Sequence, residues 1–310
     1  MKIVLFGKDG QLGRSLQRRL AMPGELIALG RDDLQYCGDL RDHAGLRQTI
    51  LALRPDIVIN AAAYTNVDRA EQQSNLANQV NAVAPGVIAA AAQEIGAMMV
   101  HYSSDYVFDG AGTRPWRETD TPAPINAYGR SKLVGDQAVV QQCKKPLIFR
   151  SSWLYSEQDH NFATTMVRLA RERAHLRVVD DQIGVPTLVD WLAEITANLV
   201  HRVHERDAGY GLYHAVPSGA TSWHGYASYL IEQLRARGIP LRVKQIEAVS
   251  TEHGALAKAA PRPLNSRLSS EKIRVVFGLT LPAWQQGVDD LAAAISHHFS
   301  PRHEFTQDRA

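Results

Sequence analysis

Lys2-Ile3-Val4-Leu5-Phe6-Gly7-Lys8-Asp9-Gly10-Gln11-Leu12-Gly13 is the stretch whose reading decides the fold. Lys2 to Phe6 is a short apolar run, the pattern of a strand buried on both faces of a parallel sheet. Gly7, Gly10 and Gly13 follow, and Arg14 to Leu20 carries helical spacing. Strand, glycine turn and helix in that order set free backbone N–H groups and the positive end of a helix dipole at the strand's carboxyl end. A pyrophosphate suits that place, with glycines where the backbone turns, approaches the ligand and packs helix on strand. The spacing is G-x-x-G-x-x-G, a variant of the G-x-G-x-x-G dinucleotide fingerprint. A glycine-rich turn without a ligand is the bland alternative.

Working outward, Glu25 to Leu29 reads as the second strand and ends at Gly30-Arg31. A cofactor with a free ribose 2′-OH calls for an acidic residue near that strand end. Arginine suits a 2′-phosphate instead, so Arg31 favours NADP over NAD; a solvated loop arginine fits equally. A third strand is expected just before Gly38-Asp39-Leu40. Ile57-Val58-Ile59, Met98-Met99-Val100 and Leu147-Ile148-Phe149 read as strands four to six. Helical spacing lies between them at Leu46 to Leu53, Ala77 to Glu94 and Lys132 to Gln142. Strands alternating with helices imply an α/β, doubly wound parallel sheet.

Composition narrows the partners. The chain has 310 residues, and 34 basic against 32 acidic side chains leave a net charge of +2, too even for a nucleic-acid or membrane surface. Cys37 and Cys143 lack metal or disulfide spacing, which fits a reducing compartment. With no apolar run of membrane-span length and no signal peptide before strand one, a soluble cytoplasmic protein is expected. His297-His298 reads as a solvated tail rather than a metal site.

Ligands in such sheets sit beyond the carboxyl ends of the strands. Four segments fall there. Asp39 could accept from an adenine amine or cap a helix. Asn60-Ala61-Ala62-Ala63-Tyr64-Thr65 is small enough to admit a cofactor. Tyr102 to Gly110 is dense in hydroxyls, and Arg150 to Tyr155 is an aromatic patch at a polar rim. Tyr128 and Lys132, four apart on a helix, share one face. A phenol titrates near pKa ~10 in water, and a nearby ammonium would lower that value for acid–base work. Alone, the spacing also describes a half-buried aromatic beside a solvated lysine.

Nine segments in order make the chain resemble the extended short-chain dehydrogenases/reductases, and within them the reductases of dTDP-linked keto sugars. They are Phe6 to Gly13, Gly38 to Leu40, Asn60 to Thr65, Val100 to Phe108, Pro124 to Lys132, Arg150 to Tyr155, Asp181 to Thr187, Arg262 to Leu268 and Leu281 to Trp284. The resemblance implies a Rossmann domain over residues 1–155, with residues 188–205 packing back on it. It implies a smaller α/β nucleotide-sugar domain over 156–310, with a disordered tail after about residue 297. It implies reduction of dTDP-4-dehydro-β-L-rhamnose to dTDP-β-L-rhamnose by NADPH, with NADH possible, to make a precursor of cell-surface polysaccharide such as lipopolysaccharide O-antigen.

The same resemblance assigns roles. Tyr128 would give a proton to the sugar O4, Lys132 would bind the nicotinamide ribose and lower the tyrosine pKa, and the Ser104 hydroxyl would lie beside the keto oxygen. Gly7, Gly10, Gln11, Leu12, Gly13, Gly30, Arg31, Asp39, Leu40, Ala62, Ala63, Tyr64 and Thr65 would line the dinucleotide. Asp105 and Trp153 would contact the nucleotide-sugar. Arg262 is a candidate for its diphosphate, or a surface arginine in a proline-rich loop. Sugar-nucleotide dehydratases follow the hydroxyl residue with Asp-Glu; here Asp105-Tyr106 follows Ser104, so elimination lacks its base. Some relatives bind Mg²⁺ between subunits, but the corresponding residues are Ser15, Asp190 and Ala292. One carboxylate holds a hard cation weakly, so no metal and a monomer or weak homodimer are expected. Another nucleotide-sugar reductase or epimerase, or a non-catalytic NADP-binding regulatory subunit, would share the fold.

In the second half, Asn161 to Arg173, Leu188 to His204 and Trp223 to Ala236 read as helices, and Val178 to Asp180 and Gly211 to His214 as strands. Trp223 and Trp284 read as core.

Overall fold

A computed structural model describes residues 1–20, 25–253 and 260–299. The opening run forms β1 (Lys2–Phe6), and the glycine turn leads into α1 (Gln11–Leu20) and β2 (Glu25–Leu29). Next come α2 (His43–Leu53), β3 (Ile57–Asn60), α3 (Val67–Gln72), α4 (Ser74–Asn78) and α5 (Ala84–Glu94). β4 (Met98–Ser104), α6 (Ala127–Gln142) and β5 (Pro146–Ser151) complete this half. β1 pairs in parallel with both β2 and β3, and β3–β4–β5 continue the sheet. The chain runs outward from β1 to β2, then crosses back to β3 on the other side of β1. That reversal creates the crevice in which such sheets bind ligands.

Both faces of the sheet are buried, which is why its strands read as unbroken apolar runs. Ile3, Leu5, Ile57 and Val100 pack with Leu12 and Leu16 of α1 on one face. Val4, Val58 and Met99 pack with Leu46 and Ile50 of α2 and Ile88 of α5 on the other.

The remaining elements are β6 (Leu154–Tyr155), α7 (Phe162–Glu172), β7 (His175–Val179), β8 (Ile183–Gly184), β9 (Thr187–Leu188) and α8 (Val189–Arg206). They continue with β10 (Gly211–His214), β11 (Thr221–Ser222), α9 (Trp223–Ala236), β12 (Gln245–Val249), α10 (Glu271–Phe277) and α11 (Trp284–Phe299). A separate core joins Ala163 and Met166 of α7, Tyr226 and Leu230 of α9, and Val288 and Leu291 of α11. Leu192, Leu199 and Val203 of α8 belong instead to the core of the main sheet.

The structure bears on four sequence expectations. No strand precedes Gly38: residues 30–42 run as turns, where Asp33 accepts the Gly30 N–H and Cys37 N donates to Thr49 Oγ1 at 2.9 Å. The backbone there bonds to side chains, so no ladder forms. The stretch 77–94 is helical throughout, with a π turn over Gln79–Val83 joining α4 to α5. Gly211–His214 pairs in parallel with β5 as the sheet's sixth strand, so the sheet draws on residues far beyond 155. Finally, α11 ends at Phe299, and the tail expected to be disordered lies outside the described residues.

Candidate active site

Tyr128 lies in the first turn of α6, where Asn126 Oδ1 accepts the Gly129 N–H at 2.7 Å and fixes the helix start. Gly129 is required by contact: a Cβ there would run into the Tyr106 carbonyl oxygen. That approach brings the Tyr106 ring edge-on to Tyr128, centroids 5.6 Å apart at 80°. Ser104, at the carboxyl end of β4, caps the turn Asp105–Val107. Its Oγ donates to Asp105 Oδ1 at 2.9 Å and accepts the Tyr106 N–H at 3.1 Å. Tyr128, Ser104 and Asp105 therefore form one cluster, as the sequence implied.

The electrostatics depart from expectation. Burial pushes the Tyr128 phenol well above its usual pKa, and the Ser104 hydroxyl only partly offsets this. The Lys132 Nζ donates to the Tyr102 carbonyl at 2.6 Å, and the side chain is 2% exposed. Burial lowers Lys132 to about 8, with the Asp136 carboxylate opposing the shift. Desolvation also raises Asp105 to about 6, with the Ser266 and Ser104 hydroxyls opposing the shift; its Oδ2 makes no hydrogen bond.

Beneath α6 lies a polar layer that the sequence did not reveal. Asp136 Oδ2 accepts from Ser103 Oγ at 2.9 Å and Arg150 Nε at 3.0 Å. His101 Nε2 stands 4.0 Å from Asp136 Oδ1, and its Nδ1 is 3.3 Å from Asn60 Nδ2. Burial and the Lys132 charge push His101 well below its usual pKa, so it is neutral. Asn60, His101, Ser103 and Arg150 sit on β3, β4 and β5, where buried strand positions would be expected to be apolar, and Asp136 meets them from α6. Asn81 was also missed. From the π turn its side chain pairs with Tyr64 N and O at 2.8 and 2.9 Å and with Ser131 Oγ at 3.0 Å, tying the Asn60 to Thr65 segment to α6. An asparagine inside an alanine-rich helical stretch was the available signal.

The glycine turn forms a tight cradle. Gly7 adopts φ +90°, and Gly10 N donates to Gly7 O at 3.2 Å. A Cβ on Gly13 would overlap the Gly7 carbonyl oxygen. The first N–H groups of α1 have no intrahelical acceptor. Gln11 Oε1 accepts from Ser156 Oγ at 3.0 Å, and the Leu12 and Leu40 side chains are buried in core, leaving them only backbone to offer. Arg31 is solvent-exposed, 3.5 Å from Asp32. Asp39 does not cap a helix; Arg41 engages its carboxylate at 2.5–2.9 Å, and Asp42 caps α2. Asn60 Oδ1 accepts the Ala62 N–H at 3.2 Å, while Ala63 and Thr65 are exposed.

Trp153 takes a left-handed backbone (φ +48°) and stacks on Trp223 with ring centroids 3.6 Å apart. A strained aromatic at a strand end is a frequent mark of a ligand site. Trp223 is thus half-buried at the site's edge rather than plain core, whereas Trp284 is core. Arg262 is not a free surface arginine: it forms a bidentate pair with Asp68. Asp190 Oδ1 accepts from Ser15 Oγ and Arg18 Nη2, both at 2.6 Å, and Ala292 lies in the second core. Among the described residues no group of three metal-ligating side chains converges.

Comparison with known proteins gives this geometry a family. Residues 1–297 match the family model described as the RmlD substrate binding domain. The dTDP-4-dehydrorhamnose reductase of Escherichia coli K12 is 48% identical over 288 residues, covering 93% of this chain and 96% of that protein. A dTDP-4-dehydrorhamnose reductase crystal structure from Clostridium acetobutylicum superposes with a TM-score of 0.85 at 33% identity, covering 95% of this chain and 99% of that one. The Bacillus anthracis dTDP-4-dehydrorhamnose reductase, solved in complex with NADP, gives 0.84 at 34% identity, covering 95% and 100%. The chain therefore belongs to the RmlD family of dTDP-4-dehydrorhamnose reductases.

Proposed function

We propose that this protein reduces dTDP-4-dehydro-β-L-rhamnose to dTDP-β-L-rhamnose with NADPH, completing a nucleotide-sugar precursor of cell-surface polysaccharide. The observation that carries this reading is Tyr128 beside Ser104 at the carboxyl edge of the sheet, the edge where the glycine turn opens, in a chain of this family. The cradle fits a dinucleotide, because backbone packs where a Cβ on Gly13 would lie and helical N–H groups stand free for phosphate. A bound reduced nicotinamide supplies the hydride that ends on the sugar C4.

Tyr128 gives its phenolic proton to the O4 oxygen as negative charge develops there, so the ketone becomes an alcohol. A raised phenol pKa suits that direction, since the donor must arrive protonated. Ser104 turns its single proton from Asp105 Oδ1 to the same oxygen, and Lys132 offers its charge to the nicotinamide ribose and to the phenolate left behind. Asp105, Trp153 and Arg262 hold the nucleotide-sugar. Gly7, Gly10, Gly13, Gly30 and the Ala62–Thr65 segment line the dinucleotide with Arg31 toward a 2′-phosphate, which favours NADPH over NADH.

The main sheet with α8 acts as the cofactor half, and the α7–α9–α11 core as the sugar half. We place the protein in the cytoplasm as a monomer or weak homodimer without Mg²⁺; no helix among the described residues is long and apolar enough to cross a membrane. The test follows NADPH consumption with a panel of dTDP-4-keto sugars. Turnover on the rhamnose precursor is expected, and its absence in the wild-type protein would refute the reading.

A further inference from the structure

Arg262 is held by a carboxylate from the other half of the chain. Its Nη1 and Nη2 donate to Asp68 Oδ1 and Oδ2, each at 2.9 Å. Nη1 also donates to the Ala260 carbonyl at 2.7 Å, and Asp68 Oδ1 accepts the Ala260 N–H at 3.0 Å. Asp68 opens α3, just beyond the Asn60 to Thr65 segment. On the other side, Asn126 Nδ2 donates to the Pro261 carbonyl at 2.8 Å, two residues before Tyr128. The Arg262 segment is therefore pinned both to α3 and to the start of α6.

A guanidinium carries five N–H groups, and these contacts use three. Nε and one Nη2 hydrogen remain, a second fork of the shape that grips phosphate bidentately. The Arg262 charge is near enough to act on the Tyr106 phenol, and the Tyr106 ring packs against Tyr128. Arg262 thus stands one aromatic ring from the phenol. A nucleotide-sugar whose O4 meets Tyr128 carries its diphosphate on C1, across the pyranose ring, which is an offset of the same kind.

We propose that Asp68 is a positioning residue, locking the Arg262 guanidinium so that its open Nε–Nη2 edge receives the diphosphate of the nucleotide-sugar. This rests on the reading that Arg262 meets that diphosphate. The Asp68 side chain is 50% exposed and that of Arg262 only 12%, so the carboxylate reaches in from solvent to a guanidinium already enclosed. A half-exposed pair adds little to stability. Its effect is to immobilise a long side chain before the ligand arrives, removing that entropy cost from binding. Arg262 in turn holds the Asp68 carboxyl below the usual carboxylate range, so the lock stays charged through neutral pH.

Calorimetric titration of dTDP and of thymidine into NADP⁺-saturated enzyme tests this, alongside steady-state kinetics. Asp68→Asn should weaken dTDP about three- to tenfold, the cost of ordering one long side chain, with thymidine unchanged. KM for the nucleotide-sugar should rise by a similar factor while kcat moves less than about twofold. Asp68→Glu, which keeps the charge, should recover part of the loss, and Asp68→Asn should have no further effect on top of Arg262→Gln. Unchanged or tighter dTDP binding in Asp68→Asn, or equal weakening of thymidine, overturns the proposal. If Arg262→Gln leaves dTDP binding intact, the Arg262 reading fails instead, and the proposal falls with it.

Discussion

The Lys132 ammonium donates to the Tyr102 carbonyl at 2.6 Å, although Tyr128 shares its helix face one turn away. Burial therefore tunes the two groups apart. The phenol is held in its protonated form, and the ammonium is brought to about 8, close to neutrality. For a ketone reductase this division is useful, because the proton donor stays loaded while the neighbouring charge remains available to stabilise the phenolate it leaves.

Tyr128→Phe removes the transferable proton and keeps the ring that packs on Tyr106. Turnover should fall about 10²- to 10⁴-fold, the usual worth of a positioned general acid, while NADP⁺ affinity stays within about twofold. Single-turnover kinetics with cofactor titration measures both. Near-full activity would mean that the proton comes from another group.

Lys132 sets a pH dependence whose sign can be worked out. Its charged form is lost as pH rises through about 8, so kcat/KM should decline on that limb. Because its folded pKa lies below the unfolded value of 10.5, the stability it permits is full above 10.5 and falls as pH drops through about 8. Lys132→Met should therefore gain most below pH 8, by at most roughly 3 kcal/mol, while activity collapses. Denaturant melts of both proteins at neutral and strongly alkaline pH would reveal it. A variant whose relative stability ignores pH would contradict the assignment.

Gly13→Ala drives a methyl group into the Gly7 carbonyl. The turn must open to relieve it, which displaces the N–H groups of α1 from a pyrophosphate. A loss of at least about tenfold in NADPH affinity is expected, with a destabilisation of about 1–3 kcal/mol from the overpacking. Cofactor fluorescence titration reads the first, and wild-type affinity would show that the cradle lies elsewhere.

Chelation should change nothing. The Asp190 carboxylate already accepts from Ser15 and Arg18, at 2.6 Å each, and a cation there would have to displace the guanidinium. Sedimentation velocity and thermal melts with and without EDTA are expected to coincide. A dimer that dissociates on chelation would overturn this expectation.

The family motifs and the strand–turn–helix order were legible in the sequence because each is local. Glycine spacing, apolar runs and the four-residue step from Tyr128 to Lys132 are decided by backbone geometry within a few residues. The false strand before Gly38 marks the limit of that logic: the expected strand is a run of turns, where Thr49 and Asp33 side chains take backbone bonds. What only the tertiary structure decided are relations across the fold. Gly211–His214 joins the main sheet, Asp136 meets Arg150 under α6, Trp223 covers Trp153, and Asp68 grips Arg262. The direction of the Tyr128 shift belongs with them. It depends on how much water the packed chain excludes from the phenol and where the Lys132 ammonium finds its acceptor, and neither is encoded by spacing along the sequence.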